Sequence, residues 1–338
     1  MLQQDRKRPP IRIVGISDSS GGVSSNSGLP LGDILAWKTS GNSLRSYGGG
    51  EDIAQHPSTL SMVQATAKRG DIVLDGTPVD LQTGGAGLEC CRYATLHGIH
   101  VILANKAPLV LAYEELTQNA ASEPKSWIEF SATVCGGLPV VNVGRRDLCC
   151  GRIDNVQGIL NSTSNYILSR MAAGESAATA LISAQQRGIA EADPSLDLVG
   201  YDTANKLVII CNSVLRIPAR LADVNLTGIT EITVDDVATA SSADEVYRLI
   251  ATAERCKAGQ EGAVTSPDRD GGSYLLSVKP VRVPKSSFFG ICADTDMSVV
   301  FKSDEFETIS MKTDEKGVFP TASAMLRDCF SIVRRGSL

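Results

Sequence analysis

Short apolar runs alternate with stretches of helical periodicity along this chain, and the runs end in turn-forming residues. That alternation predicts strands buried on both faces and joined by helices. Ile11-Arg12-Ile13-Val14-Gly15-Ile16 predicts a buried parallel strand, closed by the loop Ser17-Asp18-Ser19-Ser20-Gly21-Gly22. Helices are predicted over 31–38 and 57–69, around a glycine-rich turn at 48–50. Asp71-Ile72-Val73-Leu74-Asp75-Gly76-Thr77-Pro78 predicts a second strand and its exit loop, followed by a helix over 87–97. His100-Val101-Ile102-Leu103-Ala104 predicts a third strand, ending at Asn105-Lys106-Ala107-Pro108. Strand, helix and strand then form a βαβ unit of a doubly wound parallel sheet, with both exit loops on the edge where such folds bind ligands.

Further along, Trp127-Ile128-Glu129-Phe130-Ser131 predicts another strand, before a glycine-containing loop through Pro139 and a helix over 138–148. A strand over 153–160 leads into a capped helix start at Asn161-Ser162-Thr163-Ser164-Asn165-Tyr166. Another helix covers 177–187, and strand-like runs at 275–283 and 298–302 supply a second sheet. The expected architecture is α/β: an incomplete Rossmann-like doubly wound parallel sheet over 1–150, and an α+β domain over 151–320. A last helix, 321–332, packs back on the first domain in this reading.

The stretch 188–215 carries the densest chemistry. Pro194 removes a backbone donor and biases Asp193 away from helix, so a helix is expected to start near Ser195 or Leu196. Ser195 is the expected N-cap, with Asp197 well placed in the first turn. Asp202 and Lys206 stand four apart on one face, a spacing that on many helices is only a surface ion pair. Here Leu207-Val208-Ile209-Ile210-Cys211 is apolar all round, and Ile209 shares the face of Asp202 and Lys206. That face therefore looks into a cleft, where a carboxylate and an ammonium beside Glu191 suit binding a small zwitterion and moving a proton.

Composition removes several classes of function. Net charge is −6, with no basic block beyond Arg6-Lys7-Arg8, so no nucleic-acid surface is indicated. No apolar run reaches the length of a membrane span, and the start of the chain lacks an apolar signal region. Nine cysteines without any C-x-x-C point to reduced thiols and a cytoplasmic setting, and three scattered histidines give no zinc pattern. In the loop after the first strand, Asp18 could accept from a ribose hydroxyl, and Ser19 and Ser20 could take a 2′-phosphate; a polar loop without a ligand is the alternative.

Over about 11–330 the chain resembles homoserine dehydrogenases. Glu191, Asp202 and Lys206, with ADPSLDLVGYDTANKLVI, match a pattern of roughly E-P-D-P-x-x-D-L-x-G-x-D-x-A-x-K. Asn105-Lys106-Ala107-Pro108 matches A-N-K-x-P, the exit loop at Thr77 matches D-C-T-P/A, and Thr163, Asn165 and Tyr166 match G-I-x-x-G-T-x-N-Y-I. The resemblance implies NADP- or NAD-dependent interconversion of L-aspartate 4-semialdehyde and L-homoserine, in threonine and methionine biosynthesis. It makes Lys206 the proton donor, has Lys106 orient the reacting centre, and gives Glu191, Asp202, Asp197 and Thr163 to the substrate. It brings Thr77, Asn105 and Lys106 to the nicotinamide, and it implies a homodimer. A monovalent cation would lie on the carbonyls of Val134, Gly136 and Leu138, matching E-A/S/G-T-V-G-A-G-L-P, but Ser131 stands at the glutamate's place without its charge.

Other departures are Ser162 for a glycine, and Asp314-Glu315-Lys316-Gly317-Val318-Phe319 where G-A-G-A-G should precede Thr321-Ala322-Ser323-Ala324-Met325-Leu326. No G-x-G-x-x-G occurs, Gly84-Gly85-Ala86-Gly87 being the nearest cluster, so weak dinucleotide binding is expected. Two expectations follow: an active cytoplasmic enzyme (or plastid, if an extension precedes it), or an inactive shortened paralogue kept as a binding or dimerisation module.

Overall fold

The computed structural model describes residues 11–267 and 272–336; the tail 1–10, with its Arg6-Lys7-Arg8 block, lies outside the described residues. The chain divides into two compact units, Met1–Phe130 with Met325–Leu338, and Ser131–Ala324.

The first unit runs β1 (Gly15–Asp18), β2 (Gly21–Ser24), α1 (Leu31–Thr39), β3 (Ala54–His56), α2 (Thr59–Thr66), β4 (Ile72–Asp75), α3 (Gly85–Leu96), β5 (His100–Leu103), α4 (Ala107–Ala121) and β6 (Ile128–Glu129). Strands β4, β5 and β6 form the parallel sheet, with Ile72 opposite His100 and Val101 opposite Ile128. The C-terminal helix, Phe319–Gly336, supplies Cys329 and Ile332 to an apolar cluster around Ile102 of β5.

The first strand differs from the expected buried parallel one. It begins only at Gly15, is half-buried, and pairs antiparallel with β2, Asp18 facing Gly21. Gly21, at φ 145°, lets the chain reverse after two residues, and a Cβ there would sit 2.6 Å from the His56 carbonyl. Gly21 and Gly22 are therefore strand residues of a three-stranded sheet, β1-β2-β3, and not part of a ligand loop.

The second unit carries α5 (Val140–Asn142), β7 (Ile153–Ile159), α6 (Ser162–Ala172), α7 (Ala177–Gln186), α8 (Ser195–Leu198), α9 (Tyr201–Ile210), β8 (Val224–Leu226), α10 (Val234–Ser242), β9 (Glu245–Cys256), β10 (Val264–Thr265), β11 (Ser273–Pro284), β12 (Met297–Ser303) and β13 (Glu307–Thr313). Its sheet has the order β10-β11-β9-β7-β12-β13, antiparallel along that path, while β8 adds to β11 in parallel. Helices α6, α9 and α10 pack against the long strand β9.

Two expected helices come out differently. That over 138–148 is one short turn, α5, prolonged by a π-type turn at Val143–Asp147. The helix expected from Ser195 is split, because Gly200 adopts φ 90° between α8 and α9. Pro194, not Ser195, holds the N-cap position of α8; the Asp193 carboxylate instead accepts from the Ser195 N–H at 3.1 Å.

Candidate functional site

Lys206 is the centre of a polar cluster inside the second unit. Its ammonium donates to the carbonyl of Leu160, just past β7, at 2.6 Å and pairs with Asp202 at 2.8 Å. The side chains of Lys206 and Asp202 are only 12% and 15% exposed, and the turn after them, Leu207 to Cys211, is fully buried as its composition requires. Burial pulls the lysine pKa down, but Asp202, with Cys135 and Asp197 nearby, outweighs it and holds Lys206 above its ordinary 10.5. The group is a charged ammonium across the neutral range.

Asp197 and Asp202 lie five residues apart, which on one continuous helix would turn them about 140° away from each other. The break at Gly200 removes that constraint. Both carboxylates accept from the same amide, Asn161 Nδ2, at 2.7 Å and 2.8 Å. Burial and the neighbouring Asp202 raise the Asp197 pKa, against the opposing help of Asn161, Lys206 and Thr163. Asn161 was legible in the sequence only as a helix cap, which it also is: its Oδ1 accepts from the Ser164 N–H at 2.8 Å.

The other expected substrate residues are placed less centrally. Thr163 is buried and its hydroxyl donates to the Ile189 carbonyl at 3.1 Å. Glu191 is exposed; Gln185 donates to its main-chain carbonyl, and its carboxylate has no ion pair among the described residues.

The loop holding Val134, Gly136 and Leu138 turns through two successive left-handed residues, Cys135 and Gly136, both at φ 56°. Ser131 is buried, and its hydroxyl donates to Asn142 Oδ1 at 3.1 Å. Glu129 is committed elsewhere, to Arg335 at 2.6 Å. The carboxylate that reaches this loop is Glu315: a Cβ on Gly136 would collide with it, and one on Gly137 would come within 2.8 Å. Glu315 has no ion pair among the described residues, and its one hydrogen bond is a long one, from Thr313 at 3.4 Å. Among the described residues no three His, Cys, Asp or Glu side chains gather as a metal-binding group, so carbonyls would have to supply most ligands.

In the first unit, the exit loops of β4 and β5 are tied together. Asp75 Oδ1 accepts from the Thr77 N–H and hydroxyl at 2.9 and 2.6 Å, and Asn105 Nδ2 donates to the Thr77 hydroxyl at 3.0 Å. Asn105 Oδ1 accepts from the Ala107 N–H at 2.9 Å, which opens α4 immediately after Lys106. Gly87 of α3 is the close-approach residue: a Cβ there would lie 2.6 Å from Asn105 Nδ2 and would strike Asp75. Asp75 is buried, and its Oδ2 has no hydrogen-bond partner among the described residues.

Asp18 is engaged within its own unit. Lys38 pairs with it at 2.5 Å, and Ser20 donates to it through its N–H and hydroxyl. Burial opposes ionisation, yet Lys38, Ser20 and the Leu44 N–H hold its pKa well below the carboxylate range. Ser19 is exposed in the turn beside it.

The family model described as homoserine dehydrogenase matches residues 139–330. The homoserine dehydrogenase of Methanocaldococcus jannaschii is 30% identical over 322 residues, which is 95% of this chain and 88% of that protein. The NAD(+)-dependent homoserine dehydrogenase of Pseudomonas canavaninivorans is 28% identical, over 95% of this chain and 86% of its own. A crystal structure of an Archaeoglobus fulgidus protein assigned as a homoserine dehydrogenase superposes with a TM-score of 0.79 at 30% identity, covering 96% of this chain and 90% of its own. Likeness of this extent is not that of a substrate-binding or dimerisation module alone, and that alternative is set aside.

The buried ion pair gives an expectation for stability. Asp202→Ala strands a buried ammonium and is expected to cost about 3–5 kcal/mol. Lys206→Met strands the buried Asp202 beside Asp197 and is expected to cost about as much. Urea unfolding of both variants checks this, and losses below about 1 kcal/mol, those of an exposed pair, would contradict it.

Proposed function

The chain belongs to the homoserine dehydrogenase family, NAD(P)-dependent oxidoreductases acting on a CH–OH group, and from that premise we propose how its residues act. The substrate pair is L-aspartate 4-semialdehyde and L-homoserine. The single observation that carries the reading is the Lys206 ammonium, buried, kept charged by Asp202, and anchored on the Leu160 carbonyl.

The reduced dinucleotide, when bound, supplies the hydride. Lys206 donates a proton to the aldehyde oxygen as negative charge develops there. With two of its three N–H donors taken by Asp202 and Leu160, one remains to point at the substrate. Asp202 and Asp197, with Glu191 at the rim, attract the substrate's ammonium, and Thr163 fixes the segment that carries them. Lys106 orients the reacting centre. Thr77 and Asn105 shape the nicotinamide side through their main chain, since their side chains are engaged with Asp75 and each other. Asp18 and Ser19 would serve the ribose side, Ser19 being the exposed one, since both Asp18 oxygens already accept from Lys38, Ser20 and the Leu44 N–H.

A monovalent cation would be held by the carbonyls of Val134, Gly136 and Leu138, with Glu315 in place of the charge that Ser131 lacks. The close fit of Gly136 and Gly137 to that carboxylate supports this. The substrate unit pairs into a homodimer through the sheet that contains β7.

Lys206→Met is expected to lower semialdehyde reduction by roughly 10²–10⁴-fold while leaving dinucleotide affinity unchanged. A variant retaining more than about half the parent rate, in a steady-state assay with dinucleotide binding measured in parallel, would show that Lys206 is not the acid. Because the lysine pKa is raised, kcat/KM for reduction should hold through neutral pH and fall only above 10.5. Asp202→Asn removes the counter-charge but keeps the burial, so its alkaline limb should move down; an unmoved limb contradicts the assignment.

For the cation, potassium chloride should raise the melting temperature more than tetramethylammonium chloride does, and Glu315→Gln should abolish the difference. Equal shifts in the parent protein would remove the site. Sedimentation at micromolar concentration should give a species of twice 35.7 kDa; a lone 35.7 kDa species argues against the dimer.

A further inference from the structure

Two carboxylates facing one small volume repel each other, and something must hold them in place without cancelling their charge. We propose that Asn161 is the positioning residue of this site, its single amide group locking Asp197 and Asp202 side by side so that Asp202 is turned to Lys206. The inference rests on the proposed role of Lys206 and names a residue outside the substrate-contacting set.

The geometry leaves Asn161 no other arrangement. Its Oδ1 is bound to the Ser164 N–H at 2.8 Å, so its Nδ2 must face the two carboxylates, and the amide cannot flip without breaking all three bonds. Its two N–H donors go one to each acid, at 2.7 Å and 2.8 Å. Asp202 Oδ2 therefore accepts from Asn161 and from Lys206 together. The residue is 5% exposed, and it sits between Leu160, which receives the Lys206 ammonium, and α6, which it caps. One side chain thus fixes three things: the helix start, the orientation of both acids, and through Asp202 the position of the ammonium. A neutral amide does this without drawing charge away from a cationic substrate, as an arginine would.

The charged and titratable groups facing this point are Asp197 from α8, Asp202 and Lys206 from α9, and Cys135 from the loop beyond Leu160, with the Thr163 hydroxyl of α6. Donation from Asn161 favours the ionised form of Asp197, so losing it should move the apparent pKa of the acid pair up.

The capping role supplies the control. Asparagine, aspartate and serine are nearly equivalent N-caps, so a residue that only caps α6 tolerates all three. A positioning residue does not. Asn161→Ser keeps a cap oxygen but has no group that spans both acids. Asn161→Asp keeps the cap and adds a third negative charge. With the full chain, Asn161→Ser is expected to lose about 10²-fold in kcat/KM, since displacement of this order disrupts a reacting geometry, and Asn161→Asp should lose more. Asn161→Ser should melt within several degrees of the parent, while Asn161→Asp, which buries a third carboxylate beside two others, should melt lower.

Carbon-detected NMR of the Asp197 carboxyl, which needs no turnover, should show a higher apparent pKa in Asn161→Ser than in the parent. The proposal is overturned if both variants keep parental activity, if the Asp197 titration does not move, or if activity falls only in proportion to lost stability. A parent protein that reduces no semialdehyde would count against the Lys206 assignment instead, and the carboxyl titration would still decide the role of Asn161.

Discussion

The buried pair of Lys206 and Asp202 is the interaction on which the second unit's polar cluster depends. Taking an ammonium out of water costs several kcal/mol even after relaxation, and a single counter-ion seldom recovers it. Here the recovery is shared. Asp202 supplies the charge, the Leu160 carbonyl supplies a second acceptor, and Asp197 adds field from nearby. Each contribution comes from a different piece of chain, so β7, α8 and α9 must all be in register before the lysine is stable as a cation. A site built this way is preorganised: its hydrogen bonds are made before any substrate arrives.

The same economy of polar groups appears in the first unit, around Asp75. One carboxylate oxygen gathers the Thr77 loop, Asn105 completes the link to the next strand end, and Gly87 lets α3 come close enough to bury the cluster. The second oxygen, Oδ2, has no hydrogen-bond partner among the described residues. Both clusters stand at strand ends, that of Asp75 at the end of β4 and that of Lys206 at Leu160 just past β7.

Much of this was legible in the sequence, for reasons that also explain what was not. Asp202 and Lys206 could be placed on one face because four-residue spacing survives any helix, and the apolar turn after them announced burial. The parallel pair around residues 72–75 and 100–103 followed from apolar runs with a helix between. The break at Gly200 was hidden, since a lone glycine inside a helical pattern is usually tolerated; only the fold reveals that φ is positive there. Asn161 showed its cap but not its second role, because Asp197 and Asp202 lie 36 and 41 residues further on. The first strand was misread because an apolar run gives no hint of its partner, and the two glycines after it made a hairpin cheaper than a crossover. Glu315 was visible as a departure from the family pattern, but its landing place on the Gly136–Gly137 turn is a tertiary fact.

The claim underlying this account is that Lys206 is an ammonium held charged against its burial. Site-resolved NMR titration of the Lys206 side chain, with lysine labelled at Cε and the signal assigned by Lys206→Met, measures this directly. The account predicts a midpoint above the ordinary lysine value of 10.5. A midpoint below that value would mean that desolvation wins, that the lysine is more readily neutral than a free one, and that Asp202 does not hold it charged as the proposed proton donor.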